Sequence, residues 1–476
     1  MRKILIVGGG YAGFYTAWKL DKKLRRGEAQ VTIIDPRPYM TYQPFLPEVM
    51  AGSIEPRHSV VPLRSHLRRT EVVAGTVASV DHANKKVIVR PATGPEFDFS
   101  YDIIAVTAGA VTRTFPIAGI AEQAIGLKHI EEAIAVRNRL LAAFDQASNL
   151  SAGPERKRLL TVTFVGGGFA GVEGFGELLS LATALLRFYP NLRFDDLNFR
   201  LIEAQGCVLP EVSKSTAARV VRSLEQRGAH IHLNTQVLSI ADGRVVLSSG
   251  EEFDSNLIVW TTGNAANPTV AKHTDLPVDQ RGFLVVRADL RIGTDTAPVP
   301  DAWGAGDNAA VTDLSVDAPG VRTVPNAQHA VRQGKRLAEN IVATMRGKPA
   351  KNYIHKSLGV VATLGMGQGV FQSGSVVITG FPAWIIHRGY HVLAVPTWER
   401  KIRVLADWLT ALLFGRDIAS LGSAQHPRAA FVSGGEPDAS YDHSACDYLA
   451  FSQTIPCCND RNSKIDHWSP KHKMTR

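Results

Sequence analysis

Two glycine triplets carry the chemistry legible in this 476-residue chain. Gly8, Gly10 and Gly13 stand in G-x-G-x-x-G spacing, and Gly166, Gly168 and Gly171 repeat it 158 residues later. Such a loop binds a pyrophosphate. The first glycine makes the tight turn, the second lets the backbone approach the phosphates, and the third lets helix and strand pack closely. A helix opening at the loop adds unpaired N–H groups and a partial positive charge. Asp35 follows Gly13 by 22 residues and is placed to accept ribose hydroxyls. Glu203 follows Gly171 by 32, an interval that fits an extended helix plus PNLRFDDLN. The alternative is a glycine-rich turn without a ligand.

These residues act only if regular elements hold them. Lys3 to Val7 reads as a buried parallel strand, Tyr11 to Leu24 as a helix, and Val31 to Ile34 as a second strand. Leu160 to Val165, Val172 to Leu186 and Phe199 to Ile202 read the same way. Each set is a complete βαβ unit. The doubling continues in FSYDIIAVTAGAVT (99–112) and FDSNLIVWTTGNAAN (253–267). Both run from a polar lead through an apolar strand to Thr-x-Gly, ending at Gly109 and Gly263. The expected fold is therefore α/β, with two Rossmann-like dinucleotide-binding domains.

Two adjacent dinucleotide sites in one chain point to hydride transfer between a nicotinamide and a flavin. The flavin needs a further anchor. Val299 to Gly306 leads into Asp307, a turn that sets a carboxylate near a ribityl chain and a helix N-terminus at the phosphates. The competing reading of Asp307 is a simple helix N-cap.

At this point the chain resembles the two-dinucleotide flavoproteins, and among them the type II (single-subunit, non-pumping) NADH dehydrogenases, the alternative NADH:quinone oxidoreductases. The resemblance covers roughly residues 1–430 and rests on GGGYAG, TYQPFLPEVMAG, GGGFAGVEGFGEL, VWTTGNAANP, GAGDNAAV, AQHAVRQG, AWIIHRGYH and FGRDIASL. It implies FAD on Gly8, Gly10, Gly13, Asp35, Gly109, Asp307, Ala327 and Gln328. It implies NADH on Gly166, Gly168, Gly171, Glu203 and Gly263. Glu173 would lie near the two reacting rings, orienting NADH or relaying a proton; the plainer reading is a first-turn acid favouring a helix N-terminus. Gln328 would meet the flavin edge and a quinone, menaquinone or ubiquinone. The family pattern A-Q-x-A-x-Q places glutamine where this chain has Arg332, with Gln333 following. Arg332 then either serves a different acceptor or faces solvent. Glu203 independently favours NADH over NADPH: a 2′-phosphate at 4 Å from it would cost about 4 kcal/mol at an effective dielectric of 20, and no basic residue follows before Lys214.

A quinone reductase must reach a bilayer, and a C-terminal membrane-associating region is expected. In Thr397 to Phe414, Ile402, Leu405, Leu409 and Leu412 form an apolar stripe that Val404, Trp408 and Ala411 widen. Arg400, Lys401, Arg403 and Arg416 flank it. This is the pattern of a helix lying on a membrane surface. The alternatives are a helix packed on the core or a homodimer seam. Residues 383–395 join that surface, with Trp384 and Tyr390 as interfacial anchors. The expected location is peripheral, on the cytoplasmic face of the cell membrane.

The division expected is an FAD-binding domain over 1–118 and 290–345, an NADH-binding domain over 119–289, a membrane-facing region over 346–430 and a poorly ordered tail over 431–476. Met1-Arg2-Lys3 is basic, but three glycines end the apolar run after Val7, so a strand rather than a leader is expected. Residues 357–386 lack charged side chains up to the next arginine, yet glycines and Pro382 break them into short strands and turns. The net charge of +9 favours anionic partners or simply solubility. No helix-turn-helix, zinc-finger or ribonucleoprotein pattern is present, so nucleic acid is not an expected partner. Four cysteines without C-x-x-C spacing favour a reducing compartment and argue against sulfide or disulfide chemistry. Cys446, Cys457, His443 and His467 have no ligand spacing, and no metal is expected. Two other readings stay open: a reductase for a soluble ferredoxin- or rubredoxin-like acceptor, and a redox-sensing FAD/NADH-binding protein.

Overall fold

The computed structural model describes residues 1–420 except Pro319 and Leu358. The tail over 431–476, with Cys446, Cys457 and Cys458, lies outside the described residues.

Two sheets form the frame. The first runs Arg291–Gly293, Pro298–Gly304, Ile103–Val106, Arg2–Val7, Ala29–Asp35, Thr70–Ala74, and is parallel except for its first pair. The second runs Ala124–Ile125, Leu257–Trp260, Thr161–Val165, Asn198–Ile202, Ala229–His232, and is parallel throughout. Ile103–Val106 and Leu257–Trp260 are buried at every position. Near-continuous apolar strands of this kind belong to parallel sheets covered on both faces.

Helix α1 (Tyr11–Lys23) opens at the first glycine loop, and α2 (Phe169–Leu185) at the second. The second helix starts three residues earlier than its apolar run suggests. It and the turn after it, Phe169–Phe188, are long and apolar enough to cross a membrane, but 67% of that window is buried inside the protein. It is a core helix. Helix α3 (Ala327–Met345) lies against α1, and Gly334 permits the approach: a Cβ there would sit 2.4 Å from the Ala12 carbonyl oxygen. Thr16 Oγ1 donates to both the Ala12 and Gly334 carbonyls, at 2.7 and 3.1 Å.

After α3 the chain forms the antiparallel strands Val360–Thr363, Gly369–Ser373 and Val376–Thr379. The short strands expected before Ile386 are present, though the last residues already belong to α4 (Phe381–Ala394). Helix α5 (Trp398–Phe414) follows. Its apolar residues divide between two faces. Arg400, Val404 and Trp408, four residues apart, are buried, whereas Ile402, Leu405, Leu409, Leu412 and Leu413 stay 50–74% exposed. Val404 and Trp408 therefore do not widen the outward stripe; they hold the helix to the protein.

The flanking cations also turn inward. Arg416 Nη2 donates to Glu177 Oε2 at 2.5 Å, both side chains being buried. Arg400 Nη1 donates to the Arg57 carbonyl, and Lys401 Nζ to the Val392 and Leu393 carbonyls. Among the four flanking cations, Arg403 alone remains half-exposed, paired with Glu399. Trp408 Nε1 and Arg388 Nη2 share Glu48 Oε2 at 2.7 and 2.8 Å. Trp384 is likewise buried, with the Arg388 guanidinium 4.0 Å from its ring, so it is no interfacial anchor.

Removing one member of a buried ion pair strands the other without its counter-charge, at about 3–5 kcal/mol. Glu177→Ala is expected to lower the urea midpoint accordingly. Glu177→Met with Arg416→Met is expected to recover most of the loss. Equal destabilisation by both variants would show that the ion pair is not what holds this corner.

Candidate functional site

The two glycine loops are built alike, atom by atom. Gly8 and Gly166 turn the chain with φ of +96° and +110°, conformations that a side chain strains. A Cβ on Gly13 would meet the Gly8 carbonyl oxygen at 1.8 Å; on Gly171 it would meet that of Gly166 at 1.9 Å. Thr107 Oγ1 donates to the Val7 and Gly8 carbonyls, and Thr261 Oγ1 to those of Val165 and Gly166. Asp35 accepts from the Gly9 and Arg37 amides at 2.6 and 2.7 Å. Glu203 accepts from the Gly167 and Gln205 amides at 2.5 and 2.7 Å. Each carboxylate keeps lone pairs for further donors. Burial pushes the Asp35 carboxyl up, against those amide bonds and Arg37.

Gly10 and Gly168 differ from the packed glycines, because a Cβ on either would meet nothing within 4 Å. Both are the N-caps of their helices, neither helix has a capping side chain, and both glycines border one cleft. The open helix ends are cradles for phosphate.

That cleft has a volume of about 1360 Å³. Gly8, Gly10, Asp35, Gly109, Gly168, Glu173, Gly263, Asp307, Ala327 and Gln328 border it. Gly13, Gly166, Gly171 and Glu203 do not. Gly13 and Gly171 sit behind their loops as packing residues, and Glu203 is tied behind Gly167. Immediately after Gly109 and Gly263, Ala110–Thr112 and Asn264–Ala266 pair antiparallel and join the two halves across the cleft.

Asp307 is not a helix N-cap, and no helix begins there. The chain runs on to Asn326, which caps α3 by accepting from His329 N. Gly306, at φ +80°, is fixed by donating its N–H to Gln333 Oε1 at 2.8 Å. Gln333 thus acts through this turn and does not face the cleft. The Asp307 carboxylate borders the cleft without a hydrogen bond or ion pair among the described residues. Burial pushes it up and Lys128 opposes. An unpartnered acceptor beside the first glycine loop fits the hydroxyls of a ribityl chain. Two open helix ends and this carboxylate make the cleft fit for a flavin dinucleotide and a second dinucleotide.

Glu173 is the fifth residue of α2, past the first turn, so it does not serve the helix terminus. Its Oε1 accepts from Thr363 N at 3.1 Å and lies 3.2 Å from His387 Nε2. The His387 and His391 rings meet edge to face at 4.5 Å, and His391 Nδ1 lies 3.1 Å from the Tyr42 hydroxyl. Burial, then His387, holds His391 well below the usual histidine range. These partners were not singled out from sequence. Their one local signal is that His387 and His391 are four apart in AWIIHRGYH, hence on one helix face.

Gln328 borders the cleft, and Arg332 Nη1 donates to its carbonyl at 3.0 Å. Arg332 therefore faces the cleft rather than open solvent alone. Cys207 is free, and no group of metal-ligating side chains occurs among the described residues.

Comparison with known proteins agrees with this geometry. The family model described as pyridine nucleotide-disulphide oxidoreductase matches residues 2–334. A type II NADH:quinone oxidoreductase of Mycobacterium tuberculosis is 29% identical over 428 residues, covering 87% of this chain and 89% of that protein. A probable NADH dehydrogenase of Dictyostelium discoideum is 27% identical, covering 88% and 91%. The solved structure of NDH2 from Plasmodium falciparum in complex with NADH has the same fold, with a TM-score of 0.81 at 19% identity over 88% of this chain and 99% of that one.

Gly10 gives a clean test of the phosphate cradle. With open space around its Cα, Gly10→Ala should fold with a change within about 0.5 kcal/mol. The new methyl would meet only a bound phosphate. FAD affinity, read by flavin fluorescence, should fall at least about tenfold. Unaltered affinity would place the pyrophosphate elsewhere.

Proposed function

Because the chain belongs to the pyridine nucleotide-disulphide oxidoreductase family, matched over residues 2–334, we propose that it is an FAD-dependent NADH:quinone oxidoreductase of the type II, non-pumping class. One observation carries this reading: a single cleft runs from both glycine loops past Gln328 to Tyr390, Leu393 and Trp398, at the edge of the exposed apolar helices. Nucleotide binding and access from a bilayer meet in one cavity.

When bound, the flavin supplies the two-electron chemistry, taking hydride from NADH and passing electrons to the quinone. The chain's own residues bind, orient and handle protons. The first loop with Asp35 and Asp307 holds FAD, and the second, fixed from behind by Glu203, holds NADH. The Ala110–Thr112 and Asn264–Ala266 pairing fixes the separation of the two. Quinone reduction takes up two protons. Glu173 and His391 both face the cleft, and His387 links them. Glu173 Oε1 and the His391 ring therefore bring polar groups within reach of the acceptor end. No residue is required as a nucleophile.

The protein sits peripherally on the membrane, on the side where cytoplasmic NADH is available. Trp398, Ile402, Leu405, Leu409, Leu412 and Phe414 project outward from α5, with Phe381, Ile385 and Leu393 from α4. Full burial of each large aliphatic side chain contributes about 1.5–3 kcal/mol. A soluble acceptor would call for this helix to be covered within the protein, and among the described residues its outer face is uncovered. Since Arg400, Lys401 and Arg416 turn inward, attachment depends on apolar insertion more than on the helix's charge.

Two measurements test this reading. Leu405→Ser, Leu409→Ser and Leu412→Ser together should leave the thermal midpoint unchanged and weaken vesicle co-sedimentation by more than about tenfold. Undiminished sedimentation would sink the attachment model. Glu203→Gln should lower the NADH-over-NADPH ratio of kcat/KM by about tenfold, by removing repulsion of a 2′-phosphate. An unchanged ratio would take Glu203 out of that role.

A further inference from the structure

The charges around the cleft are unevenly placed. The carboxylates bordering it are Asp35, Glu173, Glu211 and Asp307, none of them on α1, α3 or α4. Where α1 and α3 form the wall, the side chains include Tyr15, Trp18, Arg332 and Lys335. Tyr15 is buried, and Trp18 stacks on Phe14 with centroids 5.6 Å apart. Lys335 Nζ stands 5.0 Å from the Tyr15 ring centroid, and Lys22 Nζ 3.9 Å from that of Trp18. Arg332 spends one N–H on the Gln328 carbonyl, which leaves four donors.

None of Arg332, Lys335 and Lys22 has an ion pair among the described residues. Their neighbour Lys19 is paired with Glu339 at 3.2 Å. Asp313, which shares the surroundings of His329 with Arg332, accepts from Ser315 N and Oγ. Burial, then Arg332, Lys19 and Lys22, holds the Lys335 amine below its ordinary range. These cations repel one another, and aromatic faces lie beside them.

We propose that this wall is an anion-selective acceptor site, seating a planar aromatic electron acceptor that carries an ionised acidic group. The site rests on the reading that this end of the cleft receives the acceptor. Tyr15 and Trp18 offer apolar surface to the ring, and Arg332 with Lys335 offer donors to the anionic substituent. A neutral quinone gains the first contribution and not the second.

The test is equilibrium binding to the flavin-loaded protein at low ionic strength. The probes are 2-hydroxy-1,4-naphthoquinone, at a pH where its hydroxyl is ionised, and neutral 1,4-naphthoquinone. The ionised probe should bind about five- to tenfold tighter, and high salt should shrink the difference. Arg332→Gln and Lys335→Gln should each reduce the preference, and together abolish it. Equal affinities in the unaltered protein, or a preference that survives the double substitution, would overturn the site. So would a double variant that loses binding to anionic-lipid vesicles while keeping the probe preference, since the cations would then serve lipid headgroups. Steady-state NADH oxidation separates the two readings. A binding preference without turnover of either quinone would refute the oxidoreductase function and the acceptor role, leaving an anion-binding site; turnover with equal affinities would refute the anion selectivity alone.

Discussion

A carboxylate that ends one strand and grips the glycine loop of its neighbour is the interaction on which this molecule depends. Asp35 does so through the Gly9 amide, and Glu203 through that of Gly167. Each bond fixes a loop whose first glycine is already turned to positive φ and whose third is pressed against the first. With the loop tied from behind, the amides of the following helix stay free on the cleft side. The loop need not reorganise to meet a phosphate, which is the advantage of a preformed site.

The second constraint lies in the first half of α2. Glu173 and Glu177, one turn apart, both reach the strand Val360–Thr363: Glu173 accepts from Thr363 N and Glu177 from Thr363 Oγ1. Glu173 then touches α4 through His387, and Glu177 touches the end of α5 through Arg416. The helix that begins at the nucleotide loop thus also fastens the C-terminal helices. This explains why Arg416 borders an apolar helix without facing outward. Its guanidinium group compensates an acid that would otherwise be buried unpaired.

Much of this was legible in the sequence where the signal is local. Glycine spacing, β-branched runs and a terminal acid all lie within a few tens of residues, and they define the βαβ units and the Thr-x-Gly strand ends. Illegible were interactions between distant positions. Glu48 meets Arg388 and Trp408, which stand 340 and 360 residues away in sequence. Periodicity marks α5 as amphipathic but does not say which apolar residues pack, since Trp408 and Leu409 are equally hydrophobic to a pattern. The competing reading of Asp307 as a cap arises because Gly-Asp often precedes a helix; the capping residue is Asn326, beyond an irregular stretch. Cleft geometry likewise separates Gly10 from Gly13, which spacing treats as one motif.

The short ribbon between the halves carries a record of its own. Gly109 and Gly263 are counterparts 154 positions apart, so Ala110, Val111 and Thr112 correspond to Asn264, Ala265 and Ala266. The observed partners are Ala110 with Ala266, Val111 with Ala265, and Thr112 with Asn264. The middle residue meets its own counterpart, and the outer two exchange places. That is the self-complementary contact of a twofold axis, the kind that symmetric dimers make. The two modules face each other here as the identical subunits of a symmetric dimer would, although their side chains differ.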